Sequence, residues 1–510
     1  MKRALTSEQM RELEKYAGTQ YGMSEALLME NAGSALADEA IRLASPQGRF
    51  LVLCGRGNNA GDGLVTARKL AGRGKVVHLE MVAGKEELQG EVQRNLNALR
   101  IAGVTVAVIP FDFPAGPGDV VIDALFGTGL NRAPQGVYAE AIGRISAWRA
   151  VGAKVLSADL PSGLNADTGR AFVPCVAADA TVTFGYLKVC HLVEPGAQLS
   201  GEVTVADIAL PVPEGAGIRG PLTALLEESD VRSRIRQRRP DSHKGTFGHV
   251  LVVAGSRGKT GAAALCAQGA LRAGAGLVTV ATRPDALFSV MSSAPELMGQ
   301  ELVGDGPLGP NDAMAILQAA EGKQAVVFGP GIPRGEHTGH LLRTLLTELA
   351  IPMVIDADGL NALAGNLDAL SGAQAPALLT PHPGEMSRMA GRATSEVQGD
   401  RITAARALAQ AYHAVVVLKG ARTVIALENG SCFVNPTGNP GMATGGTGDV
   451  LAGICGGLLA QGLSREDAAM IGTYVHGLAG DKVSRRTGRM GLLASDLLTG
   501  LQEVWVEWDR

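Results

Sequence analysis

Three segments in the first half of the chain place carboxylates or amides beside glycine-rich turns. Asn58, Asn59 and Asp62 follow an apolar run of strand length and precede a helical pattern. Asp123 and Asp159 each lie at the end of a further apolar run. A buried carboxylate is costly unless it is paired or bound to a cation, and glycine turns that start a helix expose N–H groups that suit a phosphate. Because open α/β sheets bind ligands at the carboxyl ends of their strands, we expect these segments to form one site.

A second group of residues in the other half has the chemistry of phosphoryl transfer. The sequence Gly-Gly-Thr-Gly-Asp ends at Asp449 and precedes a long apolar helix, so successive N–H groups form an anion hole and Asp449 can take a proton from a substrate hydroxyl. Lys419 and Arg422 follow an apolar run and supply cations for nucleotide phosphates, and His382 lies in a rigid Pro-His-Pro loop. The structural alternatives are a glycine turn, a helix cap and a histidine without a chemical role.

The elements that position these residues alternate between short apolar runs and amphipathic helices. Continuous apolar strands that alternate with helices indicate parallel sheets covered on both faces, and therefore an α/β fold. A capping box at Thr6 and Gln9 predicts the first helix. Strands are predicted at residues 50–54, 76–81, 104–109, 120–125, 155–158 and 203–210, and then at 250–254, 277–281, 325–328, 353–355, 378–379 and 415–418.

The length of 510 residues and a change in composition indicate two domains. The stretch 211–240 begins with prolines and glycines and ends in five closely spaced arginines, so we predict domains at 1–215 and 241–510 joined by a connector at 216–240. A basic tail for nucleic acid is the alternative, but the net charge of −4 gives no nucleic-acid footprint.

The location of the protein is also constrained by composition. No apolar stretch approaches the roughly 18–20 residues that a membrane helix needs, and the N-terminus lacks the apolar core of a signal peptide. The six cysteines are scattered without metal-ligand spacing, which favours a reducing compartment. We therefore expect a cytoplasmic protein without membrane contact.

The first half resembles the NAD(P)H-hydrate epimerase domain over residues 1–215, through residues 29–33, 57–63, 123–129 and 159–163. The resemblance implies a Rossmann-like three-layer sandwich in which Asp159 is the catalytic acid/base. One departure is Ala60, where the family usually has glycine. The resemblance also implies a potassium ion bound by Asn59, Asp123 and Ser162, and a substrate bound by Asn58, Asn59, Ala60, Gly61, Asp62, Gly127, Thr128, Gly129, Leu130, Asn131, Arg132, Ala133 and Asp159.

The second half resembles the ribokinase-like ADP- or ATP-dependent NAD(P)H-hydrate dehydratases over residues 225–505. The resemblance rests on residues 243–245, 329–331, 356–361, 380–385, 419–423, 439–443 and 446–449. It implies that Asp449 is the base and that magnesium arrives with the nucleotide. It further implies that the hydrate contacts Ala262, Gly331, His382 and Asp449, and that the adenine nucleotide contacts Lys419, Gly420, Ala421, Arg422, Thr423 and Gly448.

Together the two resemblances imply an enzyme that repairs hydrated NADH and NADPH. One site would interconvert the R and S hydrates, and the other would dehydrate the S form with ADP or ATP, releasing phosphate and AMP or ADP. The order of the two halves favours ADP, and the family's tendency is a homo-oligomer, a tetramer or larger. The alternatives are a small-molecule kinase of the ribokinase-like fold and a non-catalytic, nucleotide-binding first half.

Overall fold

A computed structural model describes residues 1–82, 88–335 and 337–509. These residues divide into two units, Lys2–Gly220 and Pro221–Arg510, and Met1 belongs to the second. The main sheet of the first unit is parallel, and the strands of the second unit pair mostly in parallel.

The first unit alternates strands and helices along most of its length. Its elements are β1 (Lys2–Leu5), α1 (Ser7–Gln20), α2 (Glu25–Leu43), β2 (Phe50–Cys54), α3 (Asn58–Gly72), β3 (Val77–Met81), α4 (Gly90–Ile101), β4 (Val120–Ala124), α5 (Val137–Ala150), β5 (Lys154–Ala158), β6 (Ala180–Phe184), β7 (Leu187–Lys188), α6 (Gly196–Leu199) and β8 (Glu202–Ala206).

The main sheet of this unit has the order β3-β2-β4-β5-β6-β8 with parallel pairing throughout. Successive residues of β2 alternate between two cores: Val52 packs with residues of α2, α3 and α4, whereas Leu51 packs with residues of α5. Because side chains alternate between the faces of a strand, an unbroken apolar run gives a sheet buried on both faces. The result is the predicted three-layer arrangement.

The second unit continues the alternation. Its elements are β9 (Thr223–Leu225), α7 (Glu228–Arg232), β10 (His249–Val253), α8 (Thr260–Arg272), β11 (Leu277–Thr282), α9 (Pro284–Met291), β12 (Met298–Glu301), α10 (Ala313–Ala320), β13 (Ala325–Phe328), α11 (Thr338–Glu348), β14 (Met353–Ile355), α12 (Asp358–Leu363), α13 (Asp368–Ser371), β15 (Leu378–Leu379), α14 (Pro383–Ala390), α15 (Thr394–Gly399), α16 (Arg401–Ala411), β16 (Val415–Leu418), β17 (Val424–Ala426), β18 (Cys432–Val434), α17 (Thr447–Ala460), α18 (Arg465–Thr487) and α19 (Asp496–Trp508).

Within the second unit the strand order is β12-β11-β10-β13-β14-β15-β16-β17-β18-β9. The strands from β12 to β16 pair in parallel, and β17 pairs antiparallel with both β16 and β18. Val250 and Val252 of β10 face a core shared with α8, α17, α18 and α19. Both predicted α/β halves are therefore present.

Two predicted strands of the first unit need correction, and one strand was not predicted. Residues 104–109 form no strand, because only a single bridge joins Val106 to Leu79 and Val108 is 76% exposed at the edge of the sheet. The predicted strand at 203–210 ends at Ala206. Strand β6 was missed because two of its five residues are threonines, which the structure buries by satisfying their hydroxyls: Thr181 donates to the Ser200 carbonyl at 2.7 Å.

The predicted connector at 216–240 is not a free linker. It contributes β9, which pairs with β18, and α7 to the second unit, and Ala224 and Val231 are fully buried in that unit's core. The composition was misleading because the strand and the helix are only three and five residues long. Among the described helices, none combines the length and the apolar character needed to cross a membrane.

Candidate active sites

The asparagine-rich segment of the first unit forms the start of a helix rather than a loop. Helix α3 begins at Asn58 directly after Gly57, so residues 58–62 make its first turns. Ala60, the departure from the family pattern, is fully buried in this turn, where its backbone N–H donates to the Gly57 carbonyl at 2.8 Å. Alanine is favourable in a helix, so replacing the usual glycine by Ala60 leaves the backbone conformation of this turn unstrained.

A close backbone approach joins this segment to the loop after β4. A Cβ atom at Gly55 would lie 2.1 Å from the carbonyl oxygen of Leu125, so only glycine allows the two loops to meet. Asn59 then donates from Nδ2 to the Phe126 carbonyl at 2.9 Å. The Asn59 Oδ1 atom is buried and has no hydrogen-bond partner within the described residues.

The Asp123 carboxylate lies fully buried behind that asparagine contact. Its Oδ1 accepts from the Ser162 hydroxyl at 2.6 Å, and its Oδ2 accepts from the Ser162 N–H at 2.8 Å and the Ser157 hydroxyl at 3.0 Å. The backbone N–H of Phe126 donates to the Ser162 hydroxyl at 3.0 Å. Burial raises the pKa of Asp123, and the hydrogen bonds from Ser162 and Ser157 oppose that rise. The three predicted potassium ligands are thus linked through the short loop at Phe126.

These loops and helix α1 surround a cavity of about 1090 Å³. Most of the predicted substrate residues line it: Asn58, Asn59, Asp62, Gly127, Thr128, Gly129, Leu130, Asn131, Arg132 and Asp159. Ala60, Gly61 and Ala133 are absent from the described lining, because Ala60 and Gly61 are buried inside α3 and Ala133 is half-buried outside the cavity wall.

Asp159 is held at the cavity wall in a strained conformation. It follows β5 with a φ of 65°, in the left-handed region that non-glycine residues rarely adopt. Its Oδ1 accepts from the Thr183 hydroxyl at 3.0 Å, from the Phe184 N–H at 3.2 Å and from the ammonium of Lys188. Lys188 was not predicted as a site residue, because a lone lysine in an apolar stretch carries no motif.

Two further carboxyls, Asp62 and Glu14, line the same cavity and have raised pKa values. Burial raises the pKa of Asp62 well above its usual range, and the charges of Asp159 and Glu14 add to the effect. Desolvation also raises the pKa of Glu14, which lines the cavity, to about 7; the charge of Lys188 lowers that pKa and the charge of Asp159 raises it. Carboxyls that share one cavity resist ionising together, so the pKa values of both groups lie above their usual ranges.

In the second unit, the predicted anion hole is the N-terminus of α17. Gly446 precedes the helix with a φ of 93°, and a Cβ atom there would lie 2.6 Å from Leu265, so glycine is required for both conformation and space. No side chain caps this end, which leaves the first N–H groups directed outward. The His476 ring contacts the Thr447 carbonyl through Nε2 at 2.9 Å and supports the turn from inside.

Asp449 lies in the first turn of α17, among other charges. Burial raises its pKa to about 7, as does the charge of Asp356, while Lys419 opposes the rise. Lys419 forms an ion pair with Asp356, with 2.6 Å between Nζ and Oδ1, and a Cβ atom on Gly448 would lie 3.2 Å from that Nζ. The structure therefore brings Asp449, Gly448 and Lys419 together, and it adds Asp356, to which the sequence analysis assigned no role.

Hydrogen bonds from Arg401 fix the backbone of the loop 419–423. That guanidinium donates to the carbonyls of Leu418 and Lys419 at 2.9 and 3.1 Å, and also to the carbonyl of Ala421. Gly420 and Arg422 both have positive φ values, and the Thr423 hydroxyl closes the turn on the Gly420 carbonyl at 2.9 Å. The predicted nucleotide segment is thus a preformed turn.

His382 is the N-cap of helix α14, which begins at Pro383. Its Nδ1 accepts from the N–H groups of Gly384 and Glu385 at 3.0 and 3.3 Å, and its own N–H donates to the Glu385 carboxylate at 2.8 Å. Burial, followed by the charge of Lys419, lowers the pKa of His382. His382 therefore has a structural role as the cap of α14, and its half-exposed ring also lies near the Lys419 charge.

Ala262 and Gly331, the other two predicted hydrate contacts, lie against each other. A Cβ atom on Gly331 would lie 2.8 Å from the Ala262 Cβ, and Gly331 has a φ of 66°. Ala262 lies on α8, which packs against α17: a Cβ atom on Gly446, just before α17, would lie 2.6 Å from Leu265 of α8. The pair therefore lies beside the helix that carries Asp449. Among the described residues, no group of three or more His, Cys, Asp or Glu side chains could hold a metal ion.

Comparison with known proteins gives matches to both halves. One family, described as the YjeF-related protein N-terminus, matches residues 25–190, and another, described as NAD(P)H-hydrate dehydratase, matches residues 250–503. The bifunctional NAD(P)H-hydrate repair enzyme Nnr of Moorella thermoacetica is 40% identical over 98% of this chain and 96% of its own length. The enzyme of that name from Escherichia coli is 36% identical over 98% of this chain and 93% of its own length.

A solved structure resembles the second half. The ADP/ATP-dependent NAD(P)H-hydrate dehydratase from Bacillus subtilis, co-crystallised with ATP and Mg²⁺, is 32% identical, with a TM-score of 0.49, and covers 56% of this chain and 98% of its own. The predicted fold class, α/β in both halves, is confirmed by the two sheets together with the family matches to both halves.

Proposed function

The chain belongs to the family of bifunctional NAD(P)H-hydrate repair enzymes, and we propose that it interconverts the R and S hydrates of NADH and NADPH at the first site and dehydrates the S hydrate at the second. The observation that supports this most strongly is that both sets of motif residues come together, each at the carboxyl ends of parallel strands in its own unit. A kinase with a non-catalytic first half would not need the Asp159–Lys188 pair in an open cavity.

At the first site, Asp159 is proposed as an acid/base for the C6 hydroxyl of the hydrated ring. That hydroxyl is on a carbon next to the ring nitrogen, so its loss leaves a conjugated cation to which water returns from either face. The reaction needs positioned proton carriers and a grip on the diphosphate rather than a strong nucleophile. The glycine turn 127–129 and Arg132 line the cavity where such a grip is needed.

At the second site, Asp449 is proposed to take the proton of the C6 hydroxyl as it attacks the terminal phosphate of ADP or ATP. The ring nitrogen then expels phosphate, and loss of a proton restores the dihydronicotinamide. The α17 N-terminus and Lys419 neutralise charge that develops on the transferred group. We propose that Lys419, Gly420, Ala421, Arg422, Thr423 and Gly448 hold the nucleotide and that Ala262, Gly331 and His382 contact the hydrate.

Two ions belong to this proposal. Asn59, Asp123 and Ser162 would hold potassium, a hard cation that takes oxygen ligands, and the unpartnered buried Oδ1 of Asn59 fits that use. Magnesium would come with the nucleotide, since the described residues include no group of three or more His, Cys, Asp or Glu side chains that could hold it. A thermal unfolding series in potassium, sodium and choline chlorides tests the first ion; equal midpoints in all three salts would contradict it.

We also propose ADP as the preferred nucleotide, a homo-oligomer (a tetramer or larger) as the working state, and the cytoplasm as the location. The six cysteines are unpaired, and five are buried, as expected in a reducing compartment.

The test of function is the absorbance of the dihydronicotinamide band, recorded with mixed NADH hydrates and either ADP or ATP. We expect NADH and free phosphate in equal amounts, and both epimers consumed. Accumulation of a stable phosphorylated substrate would instead identify a kinase.

A further inference from the structure

Helix α1 presents one charged face to the first cavity. Arg11, Glu14, Lys15 and Gly18 recur at helical spacing and all line the cavity, while the opposite face packs into the protein. Glu14 is therefore a cavity residue by geometry. The family match begins only at residue 25, so it assigns nothing to this helix.

The position of α1 is fixed relative to the substrate loops. Thr6 and Gln9 form a complete capping box at its start. The Ser7 N–H donates to Asp167 at 2.6 Å, and the Ser7 hydroxyl donates to the carbonyl of Thr128 at 3.1 Å. Because Thr128 belongs to the glycine turn of the cavity wall, the helix and this turn hold Glu14 at a set place in the site.

Glu14 shares the cavity with one buried ion pair and with other charged groups. Asp159 pairs with Lys188, which is 1% exposed. Asp62, Glu25 on α2 and Arg11 on the helix of Glu14 also line the cavity. Desolvation is the largest of the effects that raise the pKa of Glu14 to about 7, and the charge of Asp159 adds to it, so Glu14 can supply a proton near neutral pH.

We propose that Glu14 is a second catalytic residue of the first site: it donates the proton to the C6 hydroxyl that leaves, and Asp159 accepts a proton from the water that returns. This assignment rests on the proposed epimerase function. Two carboxyls in unequal environments that serve as acid and base are a recurring solution for such chemistry.

The proton balance of this step is complete. Glu14 protonates the C6 hydroxyl, the C6–O bond breaks, and the ring nitrogen lone pair forms a C=N bond to C6 as water departs. Water then adds to the other face of C6, the C=N electron pair returns to nitrogen, and Asp159 takes one proton from the added water. In each complete epimerisation Glu14 loses one proton and Asp159 gains one. Proton exchange with water in the open cavity then restores both groups.

The test uses the full chain with the Glu14→Gln substitution. Pure R hydrate is supplied without nucleotide, and formation of the S hydrate is followed by chromatography above the spontaneous rate. We expect kcat for epimerisation to fall at least about 10²-fold with little change in KM, while dehydration of the S hydrate with ADP stays at the wild-type rate. The Glu14→Asp protein, which keeps the carboxyl, should retain part of the activity.

The matched control is Glu12→Gln, because Glu12 is on the same helix but outside the described lining of the cavity. In the wild type, kcat/KM for epimerisation should decline as pH rises above about 7, since the proton donor is lost, and Glu14→Gln should lack this decline.

Epimerisation by Glu14→Gln within about threefold of the wild type would overturn the assignment, as would a rise in KM at unchanged kcat, which denotes a binding role. A wild-type chain that epimerises no faster than the spontaneous reaction would overturn the proposed function itself, and the wild-type measurement alone reports that failure.

Discussion

Lys188 and Asp159 form an ion pair inside the first unit, with the ammonium almost completely buried. The same Nζ donates to the Thr183 hydroxyl and the Phe184 carbonyl, each at 3.0 Å, so all three of its hydrogens are used. The backbone N–H of Lys188 donates to His191 at 3.0 Å. Asp159 is thus fixed through Oδ1 while the carboxylate remains on the cavity wall.

Replacing Lys188 by methionine should damage both stability and epimerisation. The change leaves Asp159 buried without its counter-charge, and breaking a buried pair costs about 3–5 kcal/mol. Urea unfolding of the full chain measures the loss. Lys154→Met is the control, because Lys154 pairs with Asp179 on the surface at 3.4 Å and such pairs contribute at most about 1 kcal/mol. Equal stabilities of the two variants would contradict the structural role of the Lys188 pair.

Replacing Asp159 by alanine should abolish epimerisation and leave dehydration intact, because the second site lies in the other unit. Loss of a positioned acid/base lowers the rate by roughly 10²–10⁴-fold. The assay follows R-to-S conversion after subtraction of the spontaneous rate. Unchanged catalysis would move the role to another carboxyl of the cavity, with Asp62 as the first candidate.

Replacing Asp449 by asparagine separates a base from a residue that only stabilises the start of the helix. Asparagine keeps the size of aspartate and removes its charge, and such a charge in the first turn contributes only about 0.3–1 kcal/mol of stability. If Asp449 is the base, the variant should fold and bind ADP and hydrate but turn over at least about 10²-fold more slowly. Calorimetric binding and NADH formation measure the two properties. Near-normal turnover would leave the helix N-terminus as the main catalytic element.

The pH dependence of dehydration should be set by the protonation of Asp449. The pKa of Asp449 is raised to about 7, and a base works only when deprotonated, so kcat/KM should increase as pH rises through about 7. Asp449→Asn should lack this increase. Glu385→Gln is the control, because Glu385 has a pKa of about 7 as well but caps helix α14. If Glu385→Gln lacked the increase of kcat/KM with pH and Asp449→Asn kept it, the group that titrates would be Glu385.

The two activities should separate at Gly220–Pro221. A protein spanning Pro221–Arg510 should dehydrate one epimer and leave the other, since it retains the complete second unit. A protein that starts at Val231 should be less stable, because it lacks β9 and the buried residue Leu226. Thermal unfolding and hydrate consumption measure both effects. Equal consumption of both epimers by the isolated unit would contradict the division of labour.

Local patterns in the sequence were sufficient for much of the fold. The strands at β2, β13, β14, β15 and β16 begin and end at the predicted residues, because each is an unbroken apolar run bounded by turn residues. The capping box of α1 is also present as predicted, since it involves residues three positions apart. Elements without such a local signal were not predicted, as the threonine-rich strand β6 and the short strand β9 illustrate.

What the sequence by itself determined, then, is the alternation of buried strands and helices and the motif residues at strand ends, since apolar periodicity and turn chemistry act over a few residues. Only the tertiary structure decided which groups are brought together. Lys188 reaches Asp159 across 29 residues and Lys419 reaches Asp356 across 63, and no motif encodes either pair. The raised pKa values of Glu14 and Asp449 likewise depend on burial and on charges from distant segments, because electrostatic interactions act through space and not along the chain.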